Sequence, residues 1–177
     1  MKAFGAVIIL SAFLLSSCAT VSNQPVKVYF SSYPHDYALE TTVVNLIDAA
    51  HSQVLVEAYG FTSDDITKAL KKARKRIDIN NCVLVIMDGS NETAQKSKIE
   101  ELQNAHIKVR TDTEGGTFHN KIMIIDSMII ITGSFNFTDH ANKNEENLLV
   151  ITDHDIAMEY IDNWYEHKKG SRKAERK

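Results

Sequence analysis

Apolar positions along this chain follow two periods, and the switches between them mark out alternating strands and helices. Val26 to Phe30 is a short apolar run that predicts a first strand. Leu39, Val43, Leu46, Ile47 and Ala50 then recur at helical spacing over Tyr37 to His51. Val54 to Tyr59 predicts a second strand, and Thr62-Ser63-Asp64-Asp65 opens a helix with good capping residues. The buried side of that helix is Ile66, Ala69, Leu70 and Ala73. Cys82 to Met87 predicts a fully buried strand, and Asn91 the cap of a helix with Ile99 and Leu102 inward. Ile107 to Arg110 predicts a strand, followed by the polar loop Thr111 to Gly116. After a β-branched stretch from Phe118, Asn147 to Ile151 predicts a further strand. Asp153 caps a last helix packed by Ile156, Ala157, Tyr160, Ile161 and Trp164. Strands alternating with helices predict an α/β layered sandwich, a central mixed β-sheet flanked by helices. No internal repeat is visible.

The stretch Phe118 to Asn136 reads as a strand, a tight turn and a second strand. His119 and Lys121 are two apart, so they leave one face of a strand, while Ile122 and Ile124 point the other way. Asp126-Ser127 between two β-branched runs predicts a two-residue hairpin loop. That loop pairs Ile125 with Met128 and, counted back, sets His119 opposite Ser134, with Asn136 on the same face. A His, a Lys, a Ser and an Asn then converge as an anion site that contains a nucleophile.

A chain of 177 residues is one domain by length, and its formal charge of -3 does not suit a protein that coats DNA. Nucleic-acid contact would have to come from local patches. Two basic runs qualify: Lys71-Lys72-Ala73-Arg74-Lys75-Arg76, and a tail over 169–177 that reads as disordered. Each is also what a solvated surface looks like.

Residues 1–18 read as a leader: Lys2 is followed by an apolar run, Ala3 to Leu15, too short to span a bilayer comfortably. Leu15-Ser16-Ser17-Cys18 has the pattern of a lipobox, in which Cys18 is lipidated and becomes the mature N-terminus. The alternative is an ordinary secretory signal cleaved near Ala19. Residues 19–25 would form a tether that spans only about 25 Å when extended. Cys82 is then the sole unmodified cysteine of the mature chain and reads as a small core residue. No cysteine or histidine cluster has metal-site spacing, and no cofactor is expected.

His119-x-Lys121, four residues to Asp126, then Gly133-Ser134 and Asn136 resemble the HKD signature of the phospholipase D superfamily. Glu146-Asn147, further on, resembles the acidic residue that usually completes the motif. The likeness extends upstream through Val28-Tyr-Phe-Ser-Ser, Glu57-Ala-Tyr-Gly-Phe-Thr-Ser and Ala69-Leu-Lys-Lys-Ala, and is greatest to small bacterial endonucleases with one motif per chain. It implies a phospholipase D-like catalytic domain over 26–168. It also implies roles: His119 attacks phosphorus, and Lys121 and Asn136 hold the non-bridging oxygens. Ser134 bonds the phosphate or positions the ring, and Glu146 orients the imidazole. Asp126, at the turn, is expected to support structure. The other histidines (His35, His51, His106, His140, His154, His167) have no such company, and Tyr59 and Phe61 are candidates to line the entrance. A single motif supplies one histidine where the chemistry needs two, so a homodimer with a shared cleft is expected.

Three functions fit. The first is an exported, metal-independent endonuclease tolerant of sequence, since every implied contact is to phosphate. The second is a phospholipase D acting on the membrane that Cys18 would anchor it to. The third is a lipoprotein that binds DNA without cutting it.

Overall fold

The computed structural model describes residues 25–31, 37–77 and 82–175. The leader with Cys18, the tether up to residue 24, His35 and the last two basic residues lie outside the described residues. The strands are β1 (Val26–Phe30), β2 (Val54–Ala58), β3 (Val83–Met87), β4 (Lys108–Asp112), β5 (Lys121–Ile125), β6 (Ile129–Gly133), β7 (Asn147–Thr152) and β8 (Ser171–Lys173). The helices are α1 (Ala38–Asp48), α2 (Asp64–Arg76), α3 (Ile99–Asn104) and α4 (His154–Lys169).

All eight strands join one sheet in the order β1-β7-β6-β5-β2-β3-β4-β8. β2, β3 and β4 run parallel, as strands joined by the helical crossovers α2 and α3 must, and the other pairings are antiparallel. The expected mixed sheet between helices is what forms. β2 lies at its centre and is buried along its whole length, which is why Val54 to Ala58 shows no polar alternation until Glu57. Val54 and Val56 face a core built with Leu39, Val43, Ile47, Ile66, Leu70, Ile99 and Leu102 of α1, α2 and α3. Leu55 faces a second core with Leu84, Ile124, Ile130 and, from α4, Ala157, Ile161 and Trp164.

The caps follow the sequence at two helices. Ser63 Oγ accepts from Ile66 N at 3.0 Å, and Asp153 Oδ1 accepts from Ile156 N at 3.0 Å. The basic run at the end of α2 is largely engaged by the protein itself. Arg76 donates to the Ile47 and Ala50 carbonyls (2.8 and 3.1 Å), closing the end of α1, and Lys71 meets Glu101 at 2.8 Å.

Three expectations need correction. Asn91 caps no helix: α3 starts at Ile99, and the Asn91 side chain is buried against Phe61 N, the Tyr59 carbonyl and the Asp88 carbonyl. Ile156 is 37% exposed rather than packed. The segment read as a disordered basic tail continues the domain: α4 runs through Lys169, and β8 then pairs with β4. Arg110 Nε donates to Ser171 Oγ at 2.8 Å, Arg172 pairs with Glu92 at 2.6 Å, and Ala174 is only 3% exposed. Charged residues on a short edge strand are what keep such an edge from pairing with other chains. Basic composition therefore did not signal disorder here.

Candidate active site

The hairpin has a longer loop than the sequence suggests. Ile125 pairs with Ile129, leaving Asp126, Ser127 and Met128 in the connection, with Met128 N bonded to the Ile125 carbonyl at 3.0 Å. Asp126 and Ser127 both adopt positive φ (53° and 51°), which an Asp tolerates better than most residues. The Asp126 carboxylate accepts from three successive backbone amides, His51 (2.9 Å), Ser52 (2.7 Å) and Gln53 (2.9 Å), and from Ser52 Oγ (2.9 Å). Asp126 thus fastens the hairpin to the entry of β2.

The extra loop residue moves the pairing by one, so Ser134 does not face His119. β6 ends at Gly133, whose φ of 152° and place against β7 exclude a side chain: a Cβ there would lie 2.4 Å from the Asn147 carbonyl oxygen. The amides of Ser134 and Phe135 then both turn to that carbonyl (3.2 and 3.4 Å). Ser134 Oγ donates to the Glu146 carboxylate and accepts from Asn147 N at 3.0 Å. Asn144 Nδ2 supplies the other Glu146 oxygen at 3.0 Å. Within one chain the Glu146 carboxylate is bonded by Ser134 and Asn144, one to each oxygen.

His119 and Lys121 do come together. Lys121 opens β5 opposite Ala58 and is 8% exposed, while His119, just before the strand, is exposed. Lys121 Nζ donates to the His119 carbonyl at 2.9 Å and sits 5.0 Å from the centre of the Tyr59 ring. The Tyr59 ring is 4.6 Å from that of His119, so Tyr59 is a wall of the site, whereas Phe61 is fully buried. Burial lowers the Lys121 pKa, and the Glu146 charge opposes that shift. Asp88, at the end of β3, accepts from Phe118 N at 2.9 Å and anchors the chain before His119. Burial raises the Asp88 pKa, but bonds from Ser90 and Phe118 and the nearby His119 bring it below the usual value.

Asn136 follows on the segment that runs beside Tyr59 to Thr62, through the Phe61–Phe137 bridge. Its Oδ1 is buried without a hydrogen-bond partner among the described residues. That oxygen can only accept a hydrogen bond, so any hold on a phosphate falls to the amide nitrogen. Asp126 lies at the other end of β5, roughly 17 Å away by strand rise. Among the described residues no three of His, Cys, Asp and Glu gather as a metal site. Sequence reasoning missed Asp88, and it set His167 aside. The His167 ring in fact meets buried Glu57, which also bonds Asn120.

A family model described as cardiolipin synthase, phospholipase D-like domain, matches residues 43–168. The chain belongs to the phospholipase D superfamily. It is 42% identical over 127 residues to the phospholipase D of Rickettsia conorii, covering 71% of this chain and 62% of that one. The chain thus spans about three fifths of the length of that relative. It is 32% identical over 146 residues to the mitochondrial cardiolipin hydrolase of Xenopus laevis, covering 81% and 68%. The crystal structure of Nuc, a phospholipase D family member from Salmonella typhimurium, superposes with a TM-score of 0.75 at 32% identity, covering 84% of this chain and 97% of Nuc. The His119-Lys121 pair thus sits in a phospholipase D fold, at the carboxyl-terminal edge of the parallel strands β2, β3 and β4.

Proposed function

We propose that this protein is a metal-independent phosphodiesterase that cleaves nucleic acid through a covalent phosphohistidine on His119. The observation that carries the reading is the exposed His119 imidazole and the largely buried Lys121 ammonium meeting at the Tyr59 ring, at the carboxyl-terminal end of β2. A ring nitrogen of His119 attacks phosphorus, the bond to the leaving oxygen breaks, and a second imidazole gives that oxygen its proton. Water then attacks the phosphohistidine, the second imidazole takes its proton, and His119 is released. Lys121 supplies the positive charge on the phosphoryl oxygens, and the Asn136 amide adds a donor. The second imidazole is His119 of another copy, so the working unit is a homodimer around one cleft. Cys18 carries a lipid that holds the domain at an exported membrane face, with residues 1–18 as the leader.

Hydrolysis of a membrane phospholipid is the second reading, favoured by the names of the rickettsial and mitochondrial relatives. Nucleic acid is preferred for two reasons. The fold superposes over nearly the whole of Nuc, and the motif resembles that of small single-motif bacterial endonucleases. The large cavity of about 770 Å³, lined by Leu84, Ile107, Trp164 and Lys168, lies on the α4 side at β3 and β4. It lies two to three strand spacings from β5, roughly 10–14 Å, and on the α4 face. Lys121 alternates onto the other face with Met123 and Ile125, so the cavity does not open beside the catalytic pair.

The test is to incubate purified protein in excess chelator with plasmid, single-stranded DNA, RNA and phosphatidylcholine in parallel. Cleavage of nucleic acid is expected. Hydrolysis of the lipid alone supports the second reading. Binding of DNA without cleavage makes the protein a DNA-binding lipoprotein. Activity that disappears in chelator and returns with magnesium overturns the mechanism.

A further inference from the structure

Behind the catalytic pair, on the α4 face, three polar side chains close a chain of hydrogen bonds. Glu57, in the middle of the sheet and 1% exposed, accepts from Asn120 Nδ2 at 2.8 Å through one oxygen. Its other oxygen is 2.8 Å from Nδ1 of His167, in the last turn of α4. The His167 ring meets Phe118 edge-on at 5.2 Å. Asn120 stands between His119 and Lys121, and its carbonyl accepts from Tyr59 N at 2.7 Å.

A carboxylate at this depth is costly even when paired, and an apolar residue there would stabilise the fold more. Leu55, two residues earlier on the same face, is that apolar solution. Burial pushes the Glu57 carboxyl above its ordinary value, and His167 and Asn120 only partly oppose this. Beyond the pair, Asp112 at the end of β4 is a charged group near His167. A position that breaks the rule for a central strand, and whose bonds lead to the residue between a nucleophile and its cation, calls for a functional cause. His119 lies before the paired strand, between Phe118, held by Asp88, and Asn120, held by Tyr59 N and Glu57, so its direction rests on these neighbours.

We propose that Glu57, braced by His167, is a positioning residue that holds Asn120 and thereby sets the direction in which His119 and Lys121 leave the chain. This rests on the reading of His119 and Lys121 as the catalytic pair. Misplacing a nucleophile by about 1 Å costs up to ~100-fold in rate, so the brace acts on turnover rather than on substrate binding.

The test uses the full chain with a chromogenic phosphodiester, bis(p-nitrophenyl) phosphate. Glu57→Leu lowers kcat about 10- to 100-fold while KM changes less than about threefold. Glu57→Gln keeps an oxygen for Asn120 and retains kcat within about threefold of wild type. Asn120→Ala matches Glu57→Leu, and the double variant is no worse than either, as two ends of one bond require. Should Glu57→Leu not fold, Asn120→Ala, at a half-buried position, decides. A folded Glu57→Leu or Asn120→Ala with wild-type kcat overturns the brace, as does a Glu57→Gln as slow as the leucine variant. A wild type inactive on every phosphodiester counts against the catalytic reading instead. The brace is then judged by the backbone amide resonances of His119 and Lys121, which move in Glu57→Leu and stay in Glu57→Gln. Unmoved resonances overturn it.

Discussion

Ser134 donates its hydroxyl proton to the Glu146 carboxylate, across the turn that leads from β6 into β7. The same oxygen accepts from Asn147 N, so the side chain is committed on both sides before any substrate arrives. Its main contribution is then to the shape of the loop. Ser134→Ala should cost about 1–3 kcal/mol in urea unfolding, because it strands a backbone amide. Its rate loss should be smaller than that of Lys121→Ala. An unchanged stability with an equal loss of rate would give Ser134 a direct hold on the phosphate.

In the proposed mechanism Lys121 carries the charge on the phosphoryl oxygens. Lys121→Ala should slow turnover at least ~100-fold with the fold intact by circular dichroism. Burial lowers its pKa, so the ammonium is lost at a lower pH than for an exposed lysine of 10.5. The rate should therefore decline on the alkaline side before that value is reached. A profile that stays flat through it would place the ammonium outside the reaction.

Asp126 should matter for stability alone. Burial raises its pKa, but the amides of Gln53, His51 and Ser52 outweigh that and hold it below 3.8. A folded-state pKa below the unfolded one gives stability that is complete above the unfolded value and lost as pH falls through the folded one. The stability gap between wild type and Asp126→Asn should thus be constant from neutral pH down to the ordinary carboxylate range. Below about pH 4 it should shrink. Urea titrations across that range check it, and a gap that widens on acidification would refute the assignment.

The elements were legible where local physics decides them. Ser63 and Asp153 are capping residues before helical spacing, and they cap in the structure. His119 and Lys121, placed together by strand period in the sequence, both meet the Tyr59 ring in the structure. The register was not legible, since it depends on positive φ at Asp126 and Ser127, and on ties to His51, Ser52 and Gln53 contributed by a distant segment. β8 hid behind its charge, because an edge strand needs no apolar alternation. Glu57 and His167 are 110 positions apart, and no local pattern joins them.

The proposed membrane location rests on Cys18, which lies outside the described residues. Cys18→Ser should release the domain from the membrane fraction or block its maturation. A wild-type protein already soluble after export would leave the plain secretory signal as the reading.

The account turns on one cleft that holds His119 from two copies. Wild type is co-refolded with an equal amount of His119→Ala so that subunits randomise, and phosphodiesterase activity is compared with that of wild type refolded alone. If both histidines are needed, only wild-type pairs work and roughly one quarter of the chains remain in active dimers. Activity near one half, the value for roughly independent sites in each subunit, would contradict the shared cleft.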